Sequence, residues 1–270
     1  MPRSKKNIMT ALLGLILLAA LLLIAHRSAS GLRRQAALTG WALAGLFLFL
    51  GLFNARKKLA MIPLGSAHFW LRLHVTGGMT ALLLFWLHTH SLWPAGFYEQ
   101  CLAGLFYALT LSGIAGYILQ RIYPTRLTMS GVEMIYERIP AEIARLRAQA
   151  EDIIVKCTQE SSSQVLAKHY FETLEWFFRR PRFFISHAAG IPKAEHWVRH
   201  QHHIVTRYLS DRDKDYFRQL EELARYKNKV DLHFALQSIM KGWLLIHIPL
   251  TFMALILSFW HVVLVHIYAL

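Results

Sequence analysis

The sequence predicts an all-α fold: an integral membrane helical bundle of about five spans, with a helical cytoplasmic insert between the fourth and fifth spans. Two observations predict this class. Hydrophobic residues make up 55% of the chain and charged residues only 17%, which is typical of a protein with several membrane spans. The apolar residues also lie in five long runs, each close to the ~20 residues that an α-helix needs to cross a bilayer.

The formal net charge is +14, and its distribution favours a membrane surface over nucleic acid. Residues 121–241 hold 20 Lys/Arg and 15 Asp/Glu, whereas the rest of the chain holds ten Lys/Arg and a single acid, Glu99. Those ten bases lie near the ends of the apolar runs, where they orient membrane helices and interact with anionic lipid. We therefore expect membrane lipid as a partner and no binding to nucleic acid.

The first apolar run, Ile8–Ala25, follows the bases Arg3, Lys5 and Lys6. Two interpretations fit it: a first membrane span that is retained, and a secretory signal with a loose cleavage site at residues 28–30. The run is longer than the apolar core of a usual signal peptide, which favours the retained span.

Three further spans are predicted before the polar segment, at Ala37–Phe53, His68–Trp93 and Cys101–Leu119. The fourth span is expected to stop at Arg121 and Pro124, because proline disrupts the interior of a helix. The two cysteines, Cys101 and Cys157, would then lie on opposite sides of the membrane and could not pair. The sequence holds no Cys-x-x-Cys, which excludes covalently attached haem, iron–sulfur clusters and thiolate zinc sites.

The bases near the span ends set the orientation, because Lys and Arg are enriched in cytoplasmic loops. The link Ser91–Gln100 carries neither residue and should lie outside. Five spans then place the N-terminus and the insert in the cytoplasm and the C-terminus in the periplasm of a bacterial inner membrane. The loop Ala25–Gln35 disagrees with this orientation, since it carries three arginines yet falls outside.

The polar segment, about Arg121–Lys241, is predicted to be helical, because apolar residues recur at three- and four-residue spacing. Pro140 is placed to open a helix, the pattern breaks at Gly190–Pro192, and a helix starting near Ser210 is expected to continue into the last span, Trp243–Ala269. The predicted domains are residues 1–36 (first span and loop), 37–120 (bundle helices), 121–242 (insert) and 243–270 (last span). No Gly-rich phosphate loop occurs, so no nucleotide-binding flavin domain is expected.

Four histidines on two of the predicted spans carry the chemistry. His74 and His88 are fourteen residues apart, and so are His247 and His261. Fourteen residues make nearly four helical turns, so each pair faces one side of its helix, about 21 Å apart along the axis. Ionisable side chains within membrane spans mark functional sites by default. With both helices parallel, His74 would pair with His247 and His88 with His261, and each pair could ligate one haem iron from both sides.

The alternative is that these histidines only form hydrogen bonds across helices. Two matched fourteen-residue pairs favour ligation. Gly78, one turn after His74, is expected to let a flat macrocycle approach the backbone, and Arg72 to neutralise a haem propionate or to anchor the helix at the interface. His68 is expected to be structural or to face a propionate. His90 and His266 lie off the ligand face, although His90 would replace His88 in a distorted helix.

Paired histidines thirteen or fourteen residues apart on two parallel helices resemble two families. These are cytochrome b of the quinol–cytochrome c oxidoreductases and the transmembrane domain of ferric reductases and NADPH oxidases. The resemblance covers roughly residues 37–120 and 243–270 and implies two non-covalent b-type haems, ligated by the four histidines. The chain departs from both families in its long insert and in having neither a sixth span nor a Pro-Glu-Trp-Tyr quinol motif.

The sequence therefore predicts a di-haem membrane cytochrome subunit. It would carry electrons between a redox protein on the cytoplasmic side and a periplasmic redox protein or a quinone, as one subunit of an oxidoreductase complex. Two alternatives stay open: a protein that transports or delivers metal or haem, and a structural anchor whose insert recruits partners. A second histidine group, His196, His200, His202 and His203, is expected to be a solvated or partner-facing patch rather than a metal site.

Overall fold

The structure is a computed structural model that describes residues 32–53, 66–161 and 164–268, without the side chains of residues 32–35 and 202–204. All regular elements within these ranges are helical. In chain order they are α1 (Leu32–Gly51), α2 (Ala67–Thr89), α3 (Phe97–Met129), α4 (Ile139–Ser161), α5 (Val165–His169, a π-helical turn Tyr170–Leu174, and Glu175–Phe178), α6 (Phe184–Ala189), α7 (Lys193–Val205) and α8 (Asp211–Tyr268). The predicted all-α class is confirmed for these residues.

Three helices are long and apolar enough to cross a membrane: α2, α3 and α8. In α1 only the stretch Ala36–Gly51 is apolar. The second predicted span is therefore a helix, but its apolar stretch is shorter than the ~20 residues that cross a bilayer. The first predicted span, Ile8–Ala25, lies outside the described residues. Within residues 32–53, 66–161 and 164–268 there are thus three candidate membrane helices, and the five spans that the sequence predicts are not confirmed.

Helix α3 extends further than the sequence predicts, because it continues through Pro124 and ends at Met129. Two threonine hydroxyls donate to carbonyls in the disturbed turns: Thr125 to Arg121 O at 3.3 Å and Thr128 to Pro124 O at 3.0 Å. Such hydroxyls are among the groups that make proline tolerable within an apolar helix. Two residues after the end of the helix, Gly131 has a φ of +70°, a left-handed conformation that a side chain would strain.

The chain divides into two compact units: Met1–Ile118 with Trp243–Leu270, the bundle unit, and Leu119–Gly242, the insert unit. The insert unit has its own core, in which Tyr170, Phe177 and Phe178 are fully buried. Pro140 is the second residue of α4, as predicted. The predicted break at Gly190 is also confirmed, since α6 ends at Ala189 and Gly190 has a φ of +79°.

Helix α8 contributes to both units, because it runs unbroken from Asp211 to Tyr268. Its first turn is capped by Ser210, whose hydroxyl accepts a hydrogen bond from the Asp213 N–H at 3.2 Å. Pro249 lies inside the helix without ending it. The predicted continuation of this helix into the last span is therefore confirmed.

Candidate functional site

The structure brings the four histidines of the bundle unit together in two pairs. The ring centroids of His74 and His247 are 6.5 Å apart, and those of His88 and His261 are 6.4 Å apart. The two rings of each pair are close to perpendicular, at 74° and 89°. Since the pairs follow the same order along α2 and α8, these two helices run in the same direction.

The spacing within each pair fits two ligands on opposite sides of one metal ion. A metal–imidazole nitrogen bond is about 2 Å long and a ring nitrogen lies about 1 Å from its centroid, so two such imidazoles have centroids about 6 Å apart. Both measured distances agree with this value. A direct hydrogen bond between two imidazoles would instead require a nitrogen–nitrogen distance near 3 Å, and no such bond is found within either pair of these described side chains.

His88 is oriented by helix α1. Its Nδ1 lies 3.1 Å from the carbonyl oxygen of Ala36, which can only accept, so Nδ1 carries the proton and Nε2 keeps its lone pair. The Thr39 hydroxyl lies 3.3 Å from the same nitrogen. An added Cβ on Gly40 would lie 2.9 Å from Cε1 of His88. A glycine is therefore needed here for the imidazole to pack against α1 in this orientation.

His247 is oriented by helix α3 and by its own helix. The Ser112 hydroxyl lies 3.2 Å from Nδ1 of His247, and the Trp243 ring stacks on the imidazole at 5.2 Å and 27°. Trp243 is fixed in turn, because its indole N–H donates to Ser112 O at 2.8 Å. Metal-bound histidines commonly use the second ring nitrogen in this way, which fixes the tautomer and the ring orientation.

The partners of these two histidines lie against aromatic rings. Phe53 packs on His74 at 4.7 Å, and Tyr98 stacks on His261 at 6.1 Å and 11°. The Tyr98 hydroxyl donates to Leu257 O at 2.6 Å, one turn before His261. Nδ1 of His74 is buried and has no hydrogen-bond partner among the described residues. Burying such a nitrogen without a partner is costly, and a buried polar atom of this kind fits a site that a bound group completes.

A small apolar core lies between the two pairs along the helices. Ala81 and Ala254, each seven residues from both histidines of its helix, are 2% and 1% exposed. They pack with a run of stacked rings, in which Phe106 lies 4.5 Å from Phe85 and 5.6 Å from Phe47. The two histidine pairs are therefore separated by close-packed protein rather than by polar side chains.

The other predicted site residues all lie on α2. Arg72 donates from Nε to the carbonyl of His68 at 3.2 Å, within its own helix. An added Cβ on Gly78 would meet nothing within 4 Å, so packing among the described residues does not require glycine there. His68 and His90 are exposed; His90 has a left-handed φ of 50° and caps α2, so it does not replace His88.

His196 and His200 lie on α7 with exposed side chains, and the side chains of His202 and His203 are outside the description. Across the residues that are described, no group of three or more His, Cys, Asp or Glu could hold a metal ion. Each pair in the bundle unit brings two imidazoles together, and two is the number of ligands that a haem iron takes from a protein when both axial positions are filled.

Sequence reasoning found the four histidines but missed the residues that orient them. Thr39, Ser112 and Tyr98 have no spacing relation to the histidines that they orient, because they act from other helices. Trp243 does have one, since it lies four residues before His247 on the same face of α8. Two glycines also lie near a histidine ring: an added Cβ on Gly40 would lie 2.9 Å from Cε1 of His88, and one on Gly113 would lie 3.9 Å from Cε1 of His247.

Comparisons with protein-family models, with curated proteins and with solved structures found no match to this chain. Its function is therefore inferred from its own residues.

Proposed function

We propose that this chain is a di-haem b-type membrane cytochrome that transfers electrons across a membrane. The observation that carries the proposal is the pair of histidine–histidine separations, 6.5 and 6.4 Å, on two parallel apolar helices. His74 with His247 would hold one haem b and His88 with His261 the other. Bound haem would supply reversible one-electron chemistry, while six-coordinate ligation would favour electron transfer over oxygen binding.

The chain's own residues would fix the ligands and exclude water. The Ala36 carbonyl holds a proton on Nδ1 of His88, which leaves Nε2 free to ligate. Trp243 and Ser112 orient His247. The packed core around Ala81 and Phe106 separates the two sites with a medium of low dielectric constant. The ligands are about 21 Å apart along each helix, so together the two sites would cover most of the apolar thickness of a bilayer.

The proposal includes the finer topology. Five spans, with the N-terminus and the insert in the cytoplasm of a bacterial inner membrane, would place the His74–His247 site toward the cytoplasm and the His88–His261 site toward the periplasm. Electrons would then pass between a cytoplasmic redox partner and a periplasmic partner or quinone. We propose that the chain works as the membrane subunit of an oxidoreductase complex.

Haem content of the purified protein tests the proposal. A reduced-minus-oxidised spectrum of b type with two haems per chain is expected. His74→Ala and His247→Ala should each lose one haem, and His88→Ala and His261→Ala should each lose the other. The double variant within one pair should lose no more than either single variant. His68→Ala and His90→Ala are matched controls on α2 and should keep both haems.

The pairing makes the outcome decisive. Absence of haem, with the helical content and the fold of the insert unit preserved, would overturn the proposal and favour metal or haem delivery instead. Transfer across the membrane is measured in proteoliposomes, with an impermeant reductant outside and an impermeant oxidant inside. Both sites should be needed, so a His74→Ala variant that still conducts at the full rate would contradict the two-site path.

Two glycines test the cofactor contacts that the sequence predicts. Gly78→Ala adds a methyl group that meets no described atom within 4 Å, so it should leave the fold unchanged but lower haem content if the backbone contacts the macrocycle. Gly40→Ala should displace the His88 imidazole, because the added carbon would lie 2.9 Å from Cε1. A Gly78→Ala protein that binds both haems with wild-type affinity would show that Gly78 does not contact the macrocycle.

Arg72→Gln tests the propionate contact, and it should lower haem content if Arg72 neutralises a propionate.

A further inference from the structure

A ten-residue segment of the insert unit, Phe183–Pro192, carries no Asp, Glu, Lys or Arg. Bases flank it on both sides: Arg179, Arg180 and Arg182 precede it, and Lys193 follows it. We refer to Phe183–Pro192 as the apolar segment. An apolar stretch bounded by bases is typical of elements that lie in the interfacial layer of a bilayer.

Three of the four large apolar side chains of the apolar segment are exposed, whereas Phe183 packs against the core of the insert unit. Ile185 is 80% exposed, Ile191 56% and Phe184 40%. By contrast, His187 of the same short helix is 7% exposed and faces the insert unit. Other large side chains of this unit are also exposed, such as Phe171 at 61% and Tyr208 at 73%, but Phe184, Ile185 and Ile191 lie within eight consecutive residues that carry no Asp, Glu, Lys or Arg.

The flanking bases form a positively charged cluster. Arg179 and Arg180 are exposed. Burial lowers the pKa of Arg182, and the neighbouring charges of Arg180 and Arg179 lower it further. Arg182 is held within the unit, since its Nε donates to Trp176 O at 2.9 Å and its guanidinium lies 4.1 Å from the centroid of the Trp176 ring. An anionic phosphate group would accept hydrogen bonds from the exposed Arg179 and Arg180 side chains.

The position of the apolar segment is set by Arg126, in the last turn of α3. Its guanidinium donates to the carbonyl of Ala188 at 2.9 Å and to that of His187. Helix α3 is one of the three helices that are long and apolar enough to cross a membrane. Bases that follow the apolar part of such a helix are typical of the bilayer surface, and Arg126 is such a base.

We propose that the apolar segment inserts Phe184, Ile185 and Ile191 into the interfacial layer of the bilayer, where Arg179, Arg180 and Lys193 bind the phosphates of anionic lipids. Ten residues are too few to span the hydrocarbon core, so the segment lies along the surface. This interaction is independent of any bound haem, and it would fix the insert unit against the membrane.

Spin-label accessibility in the full chain tests the proposal. In a Cys101→Ser background, Ile185→Cys is labelled and the protein is placed in nanodiscs that contain phosphatidylglycerol. The remaining thiol, Cys157, does not compete, because it is 1% exposed and burial raises its pKa to about 11. The label should be several-fold more accessible to oxygen, relative to a water-soluble nickel complex, than a label at Val155→Cys. Val155 is a matched control, since it is apolar and 52% exposed on α4.

Charge reversal separates the lipid headgroups from a purely apolar contact. Arg179→Glu with Arg180→Glu should lower the oxygen preference at residue 185 by at least half, as should nanodiscs of phosphatidylcholine alone. Arg207→Glu with Lys229→Glu is the control for net charge and should have no effect. Equal accessibility at residues 185 and 155 would overturn the proposal. A label shielded from both oxygen and nickel would also overturn it, because a protein partner would then cover the segment.

Discussion

The two units of this chain bury apolar residues in opposite ways. In the insert unit, large side chains such as Phe177, Phe178 and Leu220 are fully buried. In the bundle unit, Phe259 is 70% exposed and Leu245 76% exposed, although both lie on the same helix α8 as Leu220. A single helix therefore carries a water-facing pattern in its first half and an outward-facing apolar pattern in its second half.

This difference indicates that the insert unit is suited to water and the bundle unit to lipid. A water-soluble unit gains stability by removing apolar surface from water. A unit surrounded by lipid gains little from burying leucine, because lipid tails are as apolar as the protein interior, and its helices pack through small residues and polar contacts. The contacts within the bundle unit fit the second case, since they include Ala81, Ala103 and Ala254 and the hydrogen bonds of His88 and His247.

The largest expected effect is in the buried ion pair of the insert unit. Lys227 and Asp231 are 2.6 Å apart with both side chains fully buried. Burial lowers the pKa of Lys227 to about 8, and Asp231 counteracts this shift. Asp231→Ala should lower the free energy of unfolding by about 3–5 kcal/mol, because it leaves a buried charge without a partner. Urea unfolding followed by hydrogen exchange in α4 measures this loss.

Two variants make that prediction specific. Lys227→Met combined with Asp231→Ala should cost less than Asp231→Ala alone, since no unpaired charge remains. Asp152→Ala removes an exposed partner of Lys156 at 2.6 Å and should cost about 0.5 kcal/mol or less. Equal losses for Asp231→Ala and the double variant would show that the loss has another source.

The second effect compares one residue type in both halves of α8. Leu220→Ala should cost about 3 kcal/mol through lost burial and a residual cavity. Leu245→Ala should change the stability by about 0.5 kcal/mol or less, because its side chain is 76% exposed and would exchange one apolar neighbour for another. A loss at Leu245 as large as that at Leu220 would mean that this face is covered by protein rather than by lipid.

The third effect is a pH dependence of the stability of the insert unit, which arises from His187. Burial, together with the charges of Lys227 and Arg126, lowers the pKa of His187 from 6.5 to about 4. The folded state then stays neutral at a pH where the unfolded state binds a proton, so stability is complete above pH 6.5 and is lost as the pH falls toward 4. We expect a loss of about 2 kcal/mol between pH 7 and pH 5.

His187→Leu should reduce the change in the free energy of unfolding with pH, as measured by urea unfolding. Some pH dependence should remain, because burial also lowers the pKa of His169 and of His233. An unchanged slope in His187→Leu would contradict the assignment to this residue.

The sequence predicts the start of α8 and the histidine pairs from local signals. Helical periodicity and the Ser210 cap place the start of α8 correctly. The fourteen-residue spacing is also local, and it indicates that the two histidines of each helix lie on the same face. The end of α3 is predicted wrongly, because proline alone predicts a helix end, whereas the helix continues through Pro124, where the hydroxyls of Thr125 and Thr128 donate to carbonyls four residues earlier.

Apart from Trp243, which lies one turn before His247 on α8, the residues that orient the histidines could not be predicted, because they depend on contacts between helices. Ala36 acts on His88 through its backbone carbonyl, which any residue type provides. Ser112 acts on His247 from a helix that is 135 positions away in sequence. Gly40 was visible as a glycine, but only the structure shows that its missing side chain admits the His88 ring.

The smallest expected effect compares the helix caps of the two units. Ser66 caps α2 by accepting from Phe69 N–H at 3.3 Å, and Ser210 caps α8 by accepting from Asp213 N–H at 3.2 Å. If both helix starts lie in water, Ser66→Ala and Ser210→Ala should each cost about 1 kcal/mol, because water replaces part of the lost bond. Hydrogen exchange of the Phe69 and Asp213 amides should then accelerate about fivefold in each variant. A much larger change at Phe69 would place the start of α2 within the hydrocarbon, where an unsatisfied N–H costs several kcal/mol, and would move the membrane boundary of the bundle unit toward Ser66.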